Sequence, residues 1–232
     1  MLLTGLSGNR PVYNGTYTIK YEIIPITPGI SGHSERGQLI RVEAEDQYNY
    51  YNRVGNREMK FYHPYIEYKT YENDLALLEE IGEDKYLEMA LSFDRDYSLE
   101  EVQAMLPAEV KPVWYWVNTY NNEDLNRKKN GETIFFANEV YGMKGANSDG
   151  TTIKDPRNSF ISAINSGLKR KSRYQLQFRR LHERLSNDKG EITKDNIRVI
   201  GVVVTGDTAS MKLLRGKSYI KASSLGIVVD KF

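Results

Sequence analysis

The chain has 232 residues, of which 40% are hydrophobic and 27% are charged, an ordinary composition for a soluble globular protein. It carries 32 lysines and arginines against 31 aspartates and glutamates, so the net charge of +1 gives no support to general nucleic-acid binding. The absence of cysteine fits the cytosol, and it fits equally well a bacterial cell surface where disulfides are not used. No apolar run is long enough to span a membrane, and Met1 does not begin a signal peptide. We therefore expect either a cytosolic protein or a part of a longer one.

The N-terminal third of the chain is predicted to be mostly β structure. Residues 1–14 are rich in turn-forming residues and are interpreted as a flexible tail. Apolar and polar residues alternate over residues 15–24 and again over residues 40–45, which is the pattern of strands with one face in water. We interpret residues 15–84 as a β-rich segment that packs on the rest of the chain.

A first strand–helix–strand unit is predicted near the middle of the chain. Residues 86–93 alternate between apolar and polar side chains, as a strand does. Ser98 and Glu101 then have the spacing of a capping box at the start of a helix. Residues 113–117 form the second strand of the unit.

A second unit of the same kind is predicted near the C-terminus. The run over residues 199–204 is almost wholly apolar, which places this strand in the middle of a sheet, covered on both sides. Asp207 or Thr208 can cap a short helix, and Gly216 provides its C-terminal stop. Residues 219–229 return as a second apolar strand.

The stretch between the two units is predicted to be partly loop and partly helix. Residues 121–131 are polar and charged and are interpreted as a solvated loop, and residues 133–143 are a weak strand candidate. Asp155 followed by Pro156 is a helix start signal. Apolar stripes at helical spacing follow over residues 160–168 and 174–185, with a break between them.

These elements together predict an α+β fold. Its mixed sheet is built from the two strand–helix–strand units with packed helices, and a half-exposed β segment precedes it. The expected organisation is a tail over residues 1–14, the β-rich segment over 15–84 and an α+β domain over 85–232.

The sequence offers little that could carry catalysis. The three histidines have no metal-ligand spacing, and no nucleophile motif is present. Glu58 with Glu67, or Glu88 with Asp94, could form a glycosidase pair, but carboxylates in solvated or salt-bridged positions far outnumber catalytic ones. We predict no catalytic residues, no metal and no cofactor.

One stretch combines charge, amide and aromatic side chains and is a candidate interaction surface. Its members are Asn56, Arg57, Glu58, Tyr62 and His63. A strand pair with interleaved aromatic rings is the simpler interpretation of this stretch. Arg57 in particular could instead form a buried ion pair with a carboxylate, and this alternative is at least as well supported as recognition.

The strongest local concentration of charge in the sequence is a cluster of basic residues. It consists of Lys169, Arg170, Lys171 and Arg173. A solvated helix face explains such a cluster most simply. The alternative is contact with an anionic surface, such as phospholipid head groups or an anionic wall polymer.

Several blocks of the chain resemble a known family, and the resemblance depends on their order and spacing. The blocks lie at residues 56–64, 88–94, 114–120, 201–206 and 219–230. They are similar to the C-terminal, extracellular domain of sigma-factor regulators, which are membrane-anchored anti-sigma factors of Gram-positive bacteria. The blocks are spread over most of the chain after residue 50.

The resemblance implies a protein with a short cytoplasmic domain that holds a sigma factor, one transmembrane helix and this outer domain. The chain contains neither of the first two parts, so its residues are not expected to bind a sigma factor themselves. The implied function is a non-enzymatic sensor that controls a sigma factor in response to envelope signals, through an envelope ligand or a membrane-protein partner. The alternative is a surface enzyme or binding module that acts on wall sugars or peptides.

Overall fold

The computed structural model describes the chain in several stretches. The backbone alone is described for residues 2–7, 10–14, 40–44, 47–51 and 127–129. Backbone and side chains are described for residues 57–126, 134–136, 140–147 and 149–231. The strand predicted over residues 15–24 and the candidate contact Asn56 lie outside the described residues.

Short antiparallel strand pairs make up the described N-terminal part. Strand β1 (Leu2–Ser7) pairs with β2 (Arg10–Asn14), in a stretch that the sequence predicts as a tail. Strand β3 (Ile40–Ala44) lies within the strand predicted over residues 40–45 and pairs with β4 (Gln47–Tyr51). The division of the whole chain into tail, β-rich segment and α+β domain stays a prediction.

A five-stranded antiparallel sheet forms the centre of the described residues. Its strands are β6 (Lys85–Tyr97), β7 (Lys111–Val117), β9 (Gly142–Lys144), β10 (Val199–Asp207) and β11 (Ile220–Asp230). They lie in the order β11-β6-β10-β7-β9, so the apolar strand β10 is the middle one, as the sequence predicts. Two short strands, β5 (Lys60–Phe61) and β8 (Phe135–Phe136), pair outside this sheet.

The two predicted strand–helix–strand units are present and they interlock. Helix α1 (Leu99–Met105) joins β6 to β7, and helix α5 (Thr208–Lys212) joins β10 to β11. The strands of one unit do not pair with each other, since β10 lies between β6 and β7, and β6 lies between β10 and β11. This is the split β-α-β arrangement of ferredoxin-like folds. Each strand of a unit lies beside a strand of the other unit that runs the opposite way, and β9 pairs antiparallel with β7. The sheet is therefore antiparallel throughout and not mixed.

Local capping residues set the starts of α1 and α5 as predicted. Ser98 Oγ accepts a hydrogen bond from Glu101 N at 3.2 Å, and Ser98 N donates to the Glu101 carboxylate at 2.6 Å. Asp207 accepts from Ser210 N at 2.9 Å, which makes Asp207 the N-cap of α5. Helix α5 ends at Lys212 with Leu213 as its C-cap, so the predicted stop at Gly216 lies one turn beyond the helix. The positive φ of 69° at Gly216 favours a residue without a side chain.

Helix α2 (Asn122–Lys129) corrects the prediction of a solvated loop over residues 121–131. Asn121 Oδ1 accepts from Asp124 N at 2.9 Å, while Asn121 N donates to the Asp124 carboxylate at 3.2 Å. This reciprocal pair is a capping box in which aspartate takes the place of glutamate. Of residues 122–126 only Leu125 is buried, so apolar periodicity gives no helix signal here.

Helices α3 (Arg157–Lys169) and α4 (Gln175–Leu185) carry the two predicted apolar stripes, with the predicted break between them. They pack closely because Gly167 has no side chain, which lets the Phe178 ring approach its backbone. A Cβ atom at this position would overlap the ring. None of the helices in the described part of the chain combines the length and apolar character needed to cross a membrane.

The central sheet is covered on both faces, which explains the apolar strand β10. Val202 packs into the core beneath the helices, and Val203 packs into a second core on the opposite face. The second core includes Trp114 and Trp116 of β7 and is completed by residues 57–75, which we call the covering segment. Both valines are fully buried.

Candidate functional site

Arg57 lies in a buried ionic cluster within the covering segment. Its guanidinium contacts Glu72 Oε1 at 2.6 Å and also contacts the Asp74 carboxylate. Lys60 Nζ contacts the same Glu72 oxygen at 3.0 Å. All four side chains are at most 8% exposed. The structure thus agrees with the ion-pair interpretation of Arg57.

This cluster closes the outer edge of strand β11. The Asp74 carboxylate accepts from Leu225 N at 2.7 Å, and Arg57 donates to Leu225 O at 3.2 Å. The ion pair therefore bonds both backbone groups of one residue, as a neighbouring strand would. Two residues earlier, Ser223 N donates to Glu72 O at 2.9 Å. The unpaired N–H and C=O groups of an exposed edge strand can bind a strand of another chain, and these contacts cover them.

Two other members of the predicted interaction surface lie inside the protein. Tyr62 is 3% exposed, its backbone N donates to Ser92 Oγ at 2.9 Å, and burial holds its pKa above the usual range. His63 is fully buried, and its ring centroid lies 5.0 Å from that of Tyr120 and 5.9 Å from that of Trp116. Glu58 is half-buried. A surface contact through Tyr62 and His63 is thus ruled out by their burial, because both rings pack in the second core.

The carboxylates of Glu88 and Asp94 are not arranged as a glycosidase pair. Glu88 and Asp94 lie six residues apart on β6, which corresponds to about 20 Å along a strand, whereas catalytic pairs are about 5–10 Å apart. Glu88 is 3% exposed and accepts from the Ile227 backbone N–H, and burial raises its pKa to about 8. Within the described residues there is no group of three or more potential metal ligands.

The basic cluster is exposed at the junction of α3 and α4. Lys169 ends α3, and neither Lys169 nor the next two residues, Arg170 and Lys171, forms an ion pair with any residue that the structure describes. The Arg173 guanidinium stacks over the Tyr174 ring at 4.8 Å. The three cations before it are therefore available to solvent or to a ligand.

A polar groove begins beside Lys169 and runs along the outer face of α3. Its volume is about 520 Å³, and residues 192–194 form its opposite wall. The α3 side is lined by neutral polar side chains, Asn158, Ser162, Asn165 and Ser166, with Lys169 at the end. The sequence does not predict this groove. The polar face of α3 looks like any solvent-exposed helix face, and the opposite wall comes from a segment that is distant in sequence.

The family of the protein follows from comparison with known families. Residues 78–227, which contain four strands of the central sheet and most of β11, match the family described as sigma factor regulator C-terminal. The chain belongs to this family, as its sequence blocks predict, and the family gives it a role in sigma-factor regulation and so in the control of transcription. No curated protein and no solved structure is similar enough to the chain to count as a match.

Proposed function

We propose that the chain is the extracytoplasmic sensing domain of a membrane-anchored anti-sigma factor. It receives an envelope signal by binding, and a separate cytoplasmic part of the regulator holds the sigma factor. The observation that carries the proposal is the family match over residues 78–227, which covers nearly all of the central sheet. The buried carboxylates of Glu72 and Asp74 support a binding role over a catalytic one, because both are engaged in ion pairs that close the β11 edge.

The location can be tested by labelling intact cells, since the chain contains no cysteine. Lys189 lies in an exposed turn outside the groove, so Lys189→Cys introduces one accessible thiol without disturbing a packed region. A membrane-impermeant maleimide should label this variant of the full-length regulator from outside the cell. The matched control is Val203→Cys, which should stay unlabelled until the protein is denatured because Val203 is fully buried.

Labelling of Lys189→Cys only after the cells are permeabilised would overturn the extracytoplasmic location. The reading frame upstream of Met1 provides an independent test. A continuous frame that encodes an apolar helix of ~20 residues would support a membrane anchor, and a native start at Met1 without such a helix would contradict it.

A further inference from the structure

We propose that the groove between α3 and residues 192–194 binds a hydroxyl-rich polyanion, either a polyol phosphate or an acidic saccharide. Only the biological role of this binding rests on the proposed sensing function. The binding itself depends on the groove.

The lining of the groove matches a ligand rich in hydroxyl groups. Asn158, Ser162, Asn165 and Ser166 are exposed, and none of their side chains forms a hydrogen bond with another residue in the part of the chain that the structure describes. Amide and hydroxyl side chains can both donate and accept hydrogen bonds, as the hydroxyls of a sugar or polyol do. Such a row of uncommitted groups can follow a repeating ligand from one hydroxyl-bearing unit to the next.

The shape of the groove favours an extended ligand. From Asn158 to Lys169 the lining spans eleven residues of α3, or roughly 16 Å at the rise of an α-helix. Ile161 and Ile192 are half-buried and provide an apolar floor on which the carbon–hydrogen face of a sugar or polyol can lie. The groove is open on one side, so a long chain can pass through it with only a few units bound.

The charges at the groove favour a negatively charged ligand. No acidic side chain lines it, and Lys169 at its end has no ion-pair partner among the described residues. Lys194 on the opposite wall is held by Asp155 at 2.8 Å, so its charge is already largely neutralised. Glu191 and Asp195 flank the wall without lining the groove. Lys169 is therefore the principal anion contact, and Arg170 and Lys171 extend the positive field beyond it.

The experiment titrates the isotope-labelled full chain with defined probes and follows the side-chain amide signals of Asn158 and Asn165 by nuclear magnetic resonance. The probes are a short glycerol phosphate oligomer, a hyaluronate oligosaccharide, a neutral maltose oligosaccharide, and phosphatidylglycerol–phosphatidylcholine vesicles. At least one of the first two should shift both amides in a saturable way, and which one does so identifies the anionic group. The neutral oligosaccharide should bind much more weakly.

Two variants with the same change in net charge separate a built site from general attraction. Lys169→Gln should weaken binding of the active probe about tenfold, since it removes a charged hydrogen-bond donor. Lys171→Gln should weaken it less than about twofold, because Lys171 lies outside the groove and acts only through the screened field. Asn165→Ala should also weaken binding, with no change in charge.

Equal effects of the two lysine variants would overturn the inference, since charge alone would then explain the binding. Binding to vesicles only, or no shift of the two amides with either anionic oligomer, would overturn it as well. The sensing role is tested separately with a sigma-dependent reporter and the full-length regulator. If Lys169→Gln abolishes binding and leaves the reporter unchanged, the site stands and the proposed sensing function fails.

Discussion

Arg57 should be essential for the stability of the domain. The carboxylates of Glu72 and Asp74 are 1% and 6% exposed. In Arg57→Ala, the one remaining cation of the cluster would be Lys60, which contacts Glu72 and not Asp74. The change also removes the donor to Leu225 O. Removing one partner of a buried ion pair costs ~3–5 kcal/mol. For a domain of this size, such a loss lowers the melting temperature by roughly 6–20 °C.

Thermal unfolding followed by circular dichroism measures this effect. Arg215→Ala is a matched control, because its ion pair with Glu79 lies on the surface and its loss should shift the melting temperature by less than about 3 °C. In a double-mutant cycle, Arg57→Ala combined with Asp74→Asn should cost clearly less than the sum of the two single changes. If Arg57→Ala melted within a degree or two of the parent while sigma-dependent signalling was blunted, Arg57 would be a recognition residue and the reasoning from the buried pair would be wrong.

Three further predictions follow from buried positions. Val203→Asp should cost several kcal/mol, as a charge would be buried on the central strand, and a melting temperature within a degree or two of the parent would contradict that placement. Glu88 should make the domain less stable as pH rises from 4.5 to about 8, by up to about 5 kcal/mol, because the folded state keeps a proton that the unfolded chain releases. Urea unfolding across this window should show the fall, and Glu88→Gln should flatten it; an unchanged pH profile would refute the assignment. Gly167→Ala should cost ~1–3 kcal/mol by overlap with the Phe178 ring, despite alanine's higher helix propensity, and a gain in stability would show that the two helices can separate.

The elements that the sequence predicts well are those defined by local signals. The capping box of Ser98, the N-cap at Asp207 and the apolar run of β10 each depend on a few neighbouring residues, and the structure confirms all three. Strand partners are different, because the choice between parallel and antiparallel neighbours depends on residues far apart in the chain. Thus the two units were predictable, while their interlocking and the antiparallel sheet were not.

The candidate site was predictable only in part, for the same physical reason. The exposed cations Lys169 to Lys171 were identified from charge alone. The partners of Arg57 lie 15 and 17 residues further along the chain, and no periodicity connects positions at that spacing. The burial of His63 is not predictable from its neighbours in sequence, because the rings around it, such as Trp116 and Tyr120, come from distant parts of the chain.

The ionic cluster is better explained by specificity than by stability. Replacing a buried ion pair with apolar side chains of similar size is often neutral or stabilising, so the cluster is not needed merely to attach the covering segment. Apolar contacts, however, are not directional, and they would allow the segment to slide along β11. The pair of Asp74 and Arg57 bonds the N–H and the C=O of Leu225, and Glu72 O accepts from Ser223 N, so a slide of the segment along β11 would break all of these bonds. The buried charges therefore favour the observed position of the covering segment on the edge of the sheet.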